Sequence, residues 1–508
     1  MRIIYFPYQI PFELDGLTYF SYAYELSQSG HFPVNYDLAN NGWSIFLSVF
    51  FFIFNFDNFT QYIFLVRLVS ASISIATFIP LYFLYRRFFA RDFALVGASI
   101  FILDGRIIGN SLLGITEPLF IFLIILAMVF FLKKDNYVYL TFMIIGFAAI
   151  IRYEGILLVI PISVIFFKKN KFLRKSILRY LGCLLIIVLV LTPVIFVRIE
   201  TMGKDGIISH VVAGINSIYL FKLADLSEEQ KLKMNISDEA FKEKESFPSF
   251  FGRTITSLIK FNFLLLTPYL LVVVLGGFIF IIRNRACINF DYKILTVVLV
   301  TIAMLFPAFY AYGRGIDEIR YLFALIPLFT ICALYFIKQI DHRFGKRILI
   351  LSVIICVAIS SSILMLEINK KDYANELETF HVTQEVMNIA EIINTPSMEG
   401  NYITTAKVLE NWPKIKSPEE VKTTKISTDG FDRLEYFIQY AKQYGLTHIV
   451  VDDKGSAPEF ILSVFYNEED YPYLKKVYDS KGLGYSYHVK VFEINYTLFN
   501  ELFNTNNN

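Results

Sequence analysis

The sequence predicts a polytopic α-helical membrane protein of about ten spans, followed by a C-terminal soluble α/β domain. Three observations predict it. Of its 508 residues, 55% are hydrophobic and only 18% charged, too apolar for a soluble chain of this length. Apolar runs recur from Tyr62 to Leu366, many approaching the roughly 20 residues a helix needs to cross a bilayer. Lysines and arginines gather in clusters at alternate ends of those runs.

In chain order, residues 1–61 come before the first long run. They hold Pro11-Phe12-Glu13-Leu14-Asp15-Gly16-Leu17-Thr18-Tyr19, two carboxylates beside a glycine and an aromatic. Asp15 is read here as a loop residue, either simply solvated or a catalytic group awaiting a membrane-borne substrate. Met1–Gln9 lacks a long apolar core, so no signal peptide is expected there. Trp43–Phe56 is apolar but short and gives way to Asn55, Asp57 and Asn58, the pattern of a helix lying at the membrane surface.

The spans expected next are Tyr62–Tyr85, Phe93–Ile108, Ile115–Leu132, Tyr137–Ile151, Gly155–Phe167 and Tyr180–Val197. After a polar interval, residues 198–260, come Phe261–Ile282, Ile294–Tyr312, Tyr321–Ile337 and Ile348–Leu366. Basic clusters at Arg86/Arg87/Arg91, Lys133/Lys134, Lys168–Arg179, Arg283/Arg285 and Lys338–Arg347 fall on one side if Tyr137–Phe167 is split at Arg152-Tyr153-Glu154-Gly155. That side is the cytoplasm by the positive-inside rule. Residues 1–61, the 198–260 loop, the turn Gly313–Arg320 and the tail then lie outside, as do the Asn-x-Ser/Thr sequons at Asn58, Asn235 and Asn495. The expected domains are thus 1–61, a bundle over 62–366, and 367–508, with the protein in the plasma membrane.

From Glu367 the texture changes. Asp372–Asn394 and Phe431–Tyr444 read as helices, the second closed by Gly445. Thr447–Val451 and Tyr487–Asn495 read as strands. Asp452-Asp453 ends the first strand, either as turn residues or at the edge where open α/β sheets bind ligands.

Cys183, Cys287, Cys332 and Cys356 lie in or beside apolar runs, so no disulfide framework is expected. The net charge of +2 singles out no anionic partner, and no nucleic acid is expected. The histidines, His31 and His210 among them, show no H-E-x-x-H spacing. Charged and polar residues gather instead at the outer ends of the spans: Asn110, Thr116, Glu117, Arg152, Glu154, Arg314, Asp317, Glu318 and Arg320. Each alone could snorkel to the headgroups; together they suit an anionic headgroup held by arginines, with carboxylates for acid/base work.

The order of these features resembles the GT-C superfamily of membrane glycosyltransferases, which use polyprenyl-phosphate-linked sugars. It is most similar to the branch of protein O-mannosyltransferases, aminoarabinose transferases and RgtA/B/C/D-like proteins. The resemblance covers residues 10–366. Asp15-Gly16-Leu17-Thr18-Tyr19 matches the family's essential acidic loop residue with its aromatic, and Arg67 an arginine early in the next span. Thr116-Glu117-Pro118 matches the Thr/Ser-Glu pair opening a later span, Arg152 the arginine after the hairpin helix, and Arg320-Tyr321-Leu322 with Pro327 the late Arg-Tyr stretch. Asn41-Gly42-Trp43-Ser44 departs from the family's proline-aromatic entry, and the family's span ahead of the acidic loop has no counterpart here.

The resemblance implies transfer of a sugar from a polyprenyl-phosphate donor to a lipid, glycan or protein acceptor, with Asp15 as base. Arg320, or Arg152 or Arg314, would hold the phosphate, with Glu154 and Tyr19 also on the substrate side. Glu117 would orient the acceptor or share a divalent cation with Asp15. No cofactor is certain; Mg²⁺ or Mn²⁺ would suit oxygen-only ligands. The rivals are a transporter, which should show internal repeats and mid-span charges, and a membrane anchor for the tail.

Overall fold

In the computed structural model the chain is described apart from residues 1, 5–9, 13, 35, 37, 39, 134, 171–172, 208, 210–246, 267–269, 284–291, 345, 376, 405, 407–408, 410–411, 414–430, 454–457 and 507–508. Glu13, Asn235, His210 and Cys287 lie outside the described residues, as does most of the 198–260 loop.

The N-terminal stretch corrects the reading of Asp15 as a loop residue: it stands in the first turn of helix α1 (Leu14–Ser29). A carboxylate suits that position, where unpaired backbone N–H groups leave partial positive charge. Leu14 beside it holds φ 47, a left-handed conformation costly for a branched side chain. Helix α2 (Gly42–Ile53) falls on the short apolar run, and α3 (Phe59–Ala76) continues into α4 (Phe78–Tyr85).

Phe93–Ile108, expected as one span, is broken into α5 (Arg91–Leu103) and α6 (Gly105–Asn110). The cause is Asp104, fully buried, whose Oδ1 accepts from the N–H groups of Arg106 (2.9 Å) and Ile107 (3.3 Å) and so caps a new helix. Next come α7 (Glu117–Phe131) and α8 (Val138–Ile151). A 3₁₀ turn over Tyr153–Leu158 then leads into α9 (Val159–Asn170), so the expected split at Arg152 is present. Helix α10 (Arg174–Met202) leaves Leu181, Leu185, Val188 and Leu189 more than half exposed, an apolar stripe suited to lipid and costly in water.

Phe261–Ile282, also expected as one span, is two helices, α11 (Phe247–Leu266) and α12 (Leu270–Arg283), bent apart by 108°. The bundle ends with α13 (Tyr292–Gly313), a 3₁₀ turn over Ile319–Leu325, α14 (Ile326–Phe344) and α15 (Lys346–Asn375). Among the described residues four stretches are long and apolar enough to cross a membrane, namely Phe59–Tyr85, Arg174–Met202, Tyr292–Gly313 and Ile319–Ile340, or five if the bent pair is one span. Gly42–Ile53, Glu117–Phe131, Val138–Ile151 and Leu351–Leu366 are apolar but shorter.

After α16 (Leu377–Ile393) the tail forms a four-stranded sheet in the order β1-β2-β4-β3. Strand β1 (Tyr402–Thr404) pairs parallel with β2 (His448–Asp452), and the crossover between them carries α17 (Leu434–Lys442). Helix α18 (Glu459–Tyr466), β3 (Leu474–Asp479), β4 (Val489–Ile494) and α19 (Tyr496–Asn506) follow, with β4 antiparallel to both β2 and β3. Every residue of β2 is buried, and Phe437, Ile438, Val464 and Phe499 from the helices pack into the core around it. Asp452 belongs to that core: its Oδ2 accepts from Tyr487 Oη at 2.8 Å, which favours a structural role at this strand end.

Two compact units result. One comprises Met1–Phe6, Ala39–Trp43 and Arg67–Glu367; the other, Pro7–Leu38, Ser44–Val66 and Ile368–Asn508. Within the second, Phe20 packs among the rings of Phe12, Tyr24, Phe51, Phe59 and Trp412. There the Glu391 carboxylate accepts from Phe59 N at 2.8 Å and Thr60 N at 3.4 Å, supplying the start of α3 with acceptors that its own turn lacks.

Candidate active site

In the larger unit three separate segments bring charge to one cavity. Glu117 opens α7, with Pro118 preset for a first helical turn. Its side chain is almost fully buried. Arg152 ends α8 in an extended conformation (φ −145, ψ 125), which turns the chain out of the helix and carries Glu154 into the same space. Arg320 and Tyr321 come from the 3₁₀ turn that precedes α14.

Arg152 is the hub. Its Nη1 donates to Glu117 Oε1 at 2.6 Å and to Thr116 Oγ1 at 3.3 Å, and its Nη2 to Glu154 Oε1 at 2.9 Å. The guanidinium also lies 5.7 Å from the centre of the Phe120 ring and 5.6 Å from that of Tyr321. Glu154, about 95% buried, keeps its second oxygen without a hydrogen-bond partner among the described residues. Glu117, Arg152, Glu154, Arg320 and Tyr321 line a cavity of about 20 Å³, room for about one water. Arg320 is ion-paired with Glu318, which is half exposed.

Glycine at 155 is what lets the turn fold this way. A Cβ there would stand 2.7 Å from backbone atoms of Ala148 and Ala149, so the 3₁₀ segment could not lie against α8. The departure at Asn41-Gly42-Trp43 has a similar cause. A Cβ on Gly42 would stand 2.5 Å from the carbonyl oxygen of Ile150, two residues before Arg152. Trp43 Nε1 donates to Gly114 O at 2.7 Å, three residues before Glu117. The motif thus clamps both segments that feed the ion pair, a role carried by tertiary contact and invisible in the motif alone.

Of the other residues singled out, Arg314 is exposed, stacks on Tyr310 and stands outside the cavity lining. Arg67 is buried, and its Nε donates to Leu112 O at 3.0 Å. Asp15, exposed, and Tyr19, half-buried, lie on α1 in the second unit. Asp104, a lone Asp inside an apolar run, carries no motif that would mark it in the sequence. As to a metal, no group of three or more His, Cys, Asp or Glu comes together among the described residues. Glu117 and Glu154 both spend an oxygen on Arg152, so a cation shared by that pair would compete with the guanidinium.

Residues 43–196 match the family model described as dolichyl-phosphate-mannose-protein mannosyltransferase. No curated protein matches the chain by sequence. Among solved structures, ArnT from Cupriavidus metallidurans bound to undecaprenyl phosphate is 11% identical with a TM-score of 0.53, covering 97% of this chain and 95% of that one. The Archaeoglobus fulgidus oligosaccharyltransferase AglB, in complex with an inhibitory peptide and a dolichol-phosphate, is 13% identical with a TM-score of 0.48, covering 93% of this chain and 70% of that one. In the apo form of the A. fulgidus enzyme the chain spans 65% of the length. The fold is therefore the one seen in ArnT. Residues 43–196 thus resemble the dolichyl-phosphate-mannose-protein mannosyltransferase family, within a chain whose fold is shared with ArnT.

Proposed function

We propose that the chain transfers a sugar from a polyprenyl-phosphate donor to a lipid, glycan or protein acceptor on the extracytoplasmic side of the membrane. The observation that carries this reading is the convergence of Glu117, Arg152, Glu154 and Arg320 from three helix ends on one cavity of the bundle. Support for the donor class comes from ArnT, whose structure holds undecaprenyl phosphate.

The chemistry needs little acid on the donor side, because the leaving group is already a phosphate. Attack of the acceptor hydroxyl on the anomeric carbon forms one C–O bond as the C–O bond to the lipid phosphate breaks. The hydroxyl proton goes to a carboxylate, and the lipid phosphate leaves with the bonding electrons. Asp15 is the base in this reading. Arg320 takes the phosphate through paired donors, exchanging the half-exposed Glu318 for the anion. Arg152, already shared by two carboxylates, positions Glu117 and Glu154 and is not the phosphate clamp. The cavity has room for about one water, so donor binding in this reading separates some of these side chains.

Polyprenyl-phosphate binding to the purified protein, followed by native mass spectrometry, tests this. Arg320→Ala should weaken the lipid at least about tenfold, and Arg320→Lys less, since a point charge replaces a fork. If both bind as wild type while Glu318→Gln and Arg320→Gln behave alike, Arg320 is a surface pair and the phosphate site lies elsewhere.

A further inference from the structure

A second cavity lies wholly within the unit formed by residues 7–38, 44–66 and 368–508. It is a cleft of about 420 Å³, in the size range of pockets that hold small ligands. The C-terminal end of α1, the turn after it and the end of α16 enclose it. Its lining includes Tyr24, Glu25, Gln28, His31, Phe32 and Asn394.

The lining has a definite chemistry. Among the described residues the lining holds no Lys or Arg, so these side chains offer an anionic lipid or free phosphate no counter-charge. Glu25 is fixed by Tyr36, whose Oη donates to its Oε1 at 2.6 Å. Asn394 is oriented by two bonds from its Nδ2, to Ala390 O at 3.2 Å and Pro413 O at 3.0 Å, which leave Oδ1 to accept. Phe32, 39% exposed, lines the same cleft as these planar polar groups. Gly30 at φ 69 ends α1, and the turn after it carries His31 and Phe32 to the cleft.

Planar carboxylate and amide groups sharing a cleft with an exposed ring are what a sugar demands. Its hydroxyls give and take bonds in pairs, and its C–H face rests on an aromatic. A peptide held as an added strand would need an open sheet edge, and among the described residues no strand contributes to the lining. We propose that this cleft binds one or two neutral sugar rings of the acceptor, so that the acceptor is a glycan. The acceptor assignment rests on the transferase reading; the sugar binding itself does not.

Full-length protein in lipid nanodiscs, without donor, should be titrated with mannobiose, galactobiose, arabinobiose and chitobiose and followed by saturation-transfer NMR. A Ser/Thr-containing peptide serves as the competing probe. At least one disaccharide should bind, and Phe32→Ala and Asn394→Ala should each weaken it about tenfold or more. Polyprenyl-phosphate binding in the same preparations should be unchanged, which shows that the variants remain folded. Silence of every disaccharide, equal binding by wild type and variants, or displacement of sugar by the peptide would each overturn the proposal. Sugar binding that persists where wild type fails to bind polyprenyl phosphate would keep the cleft and refute the transferase reading instead.

Discussion

Arg152 Nη1 stands 2.6 Å from Glu117 Oε1, tying the break after α8 to the start of α7 across 35 residues of sequence. The same guanidinium holds Glu154 at 2.9 Å, so one cation compensates two buried carboxylates. Removing that cation should be severe. Arg152→Ala leaves both carboxylates buried and unpaired, and should destabilise the protein by about 3–5 kcal/mol. Thermal unfolding in detergent checks this, and the triple change Arg152→Met, Glu117→Gln, Glu154→Gln should recover most of the loss.

Gly155→Ala places a methyl group against the backbone of Ala148 and Ala149, where no side-chain rotation relieves it. The turn must then shift, carrying Arg152 and Glu154 with it. Sugar transfer should fall at least about tenfold even in protein that remains folded, because misplacing catalytic groups by about 1 Å costs about 10². Gly252→Ala, where a Cβ meets nothing within 4 Å, is the control and should be near wild type.

Two helical breaks in the larger unit differ in how far the sequence reveals them. The split at Arg152-Tyr153-Glu154-Gly155 is legible because two charges interrupt an apolar run and the basic clusters must share a side. The break at Asp104 is not, since a single buried Asp becomes a helix cap only through local geometry. In the tail, β2 and β4 show in the pattern of apolar residues, whereas β1 is three residues long and β3 is an edge strand with exposed Lys475 and Lys476 and a bulge before Tyr478. Helix α1 buries Phe20, Ser21, Tyr22 and Ala23 in succession, which erases the helical period by which it would have been seen. At the site, the residue types were readable, but that Arg152 serves the glutamates before any phosphate depends on contacts the sequence does not state.

The tail should soften on mild acidification. Burial holds the His448 ring below the ordinary histidine range, against the opposing pull of Glu493. The unfolded chain therefore binds more protons than the folded one as pH falls through about 6.5. His448 stability is complete above that pH and declines below it, toward the folded value. Hydrogen exchange of the Ile449–Val451 amides should be faster at pH 5.5 than at pH 7.5, and His448→Asn should flatten the difference. A pH response that survives the substitution assigns it to other groups.

Sidedness has its own test. Asn170→Cys, beside Lys168 and Lys169, should be shielded from a membrane-impermeant thiol reagent in intact cells, and Gly430→Cys in the tail should be labelled. These should be made in a background lacking the native cysteines. The opposite pattern would place the tail in the cytoplasm and remove the extracytoplasmic reading of the reaction.

The most direct measurement is transfer of labelled sugar from a polyprenyl-phosphate donor by purified protein in nanodiscs, wild type against Asp15→Asn. That substitution keeps the side chain's shape and removes its charge. Wild type should turn over, Asp15→Asn should lose at least about 10², and donor binding should be unchanged between the two. Near-wild-type turnover in Asp15→Asn would contradict Asp15 as the base, and no transfer by wild type to any lipid, glycan or protein acceptor would contradict the proposed reaction itself.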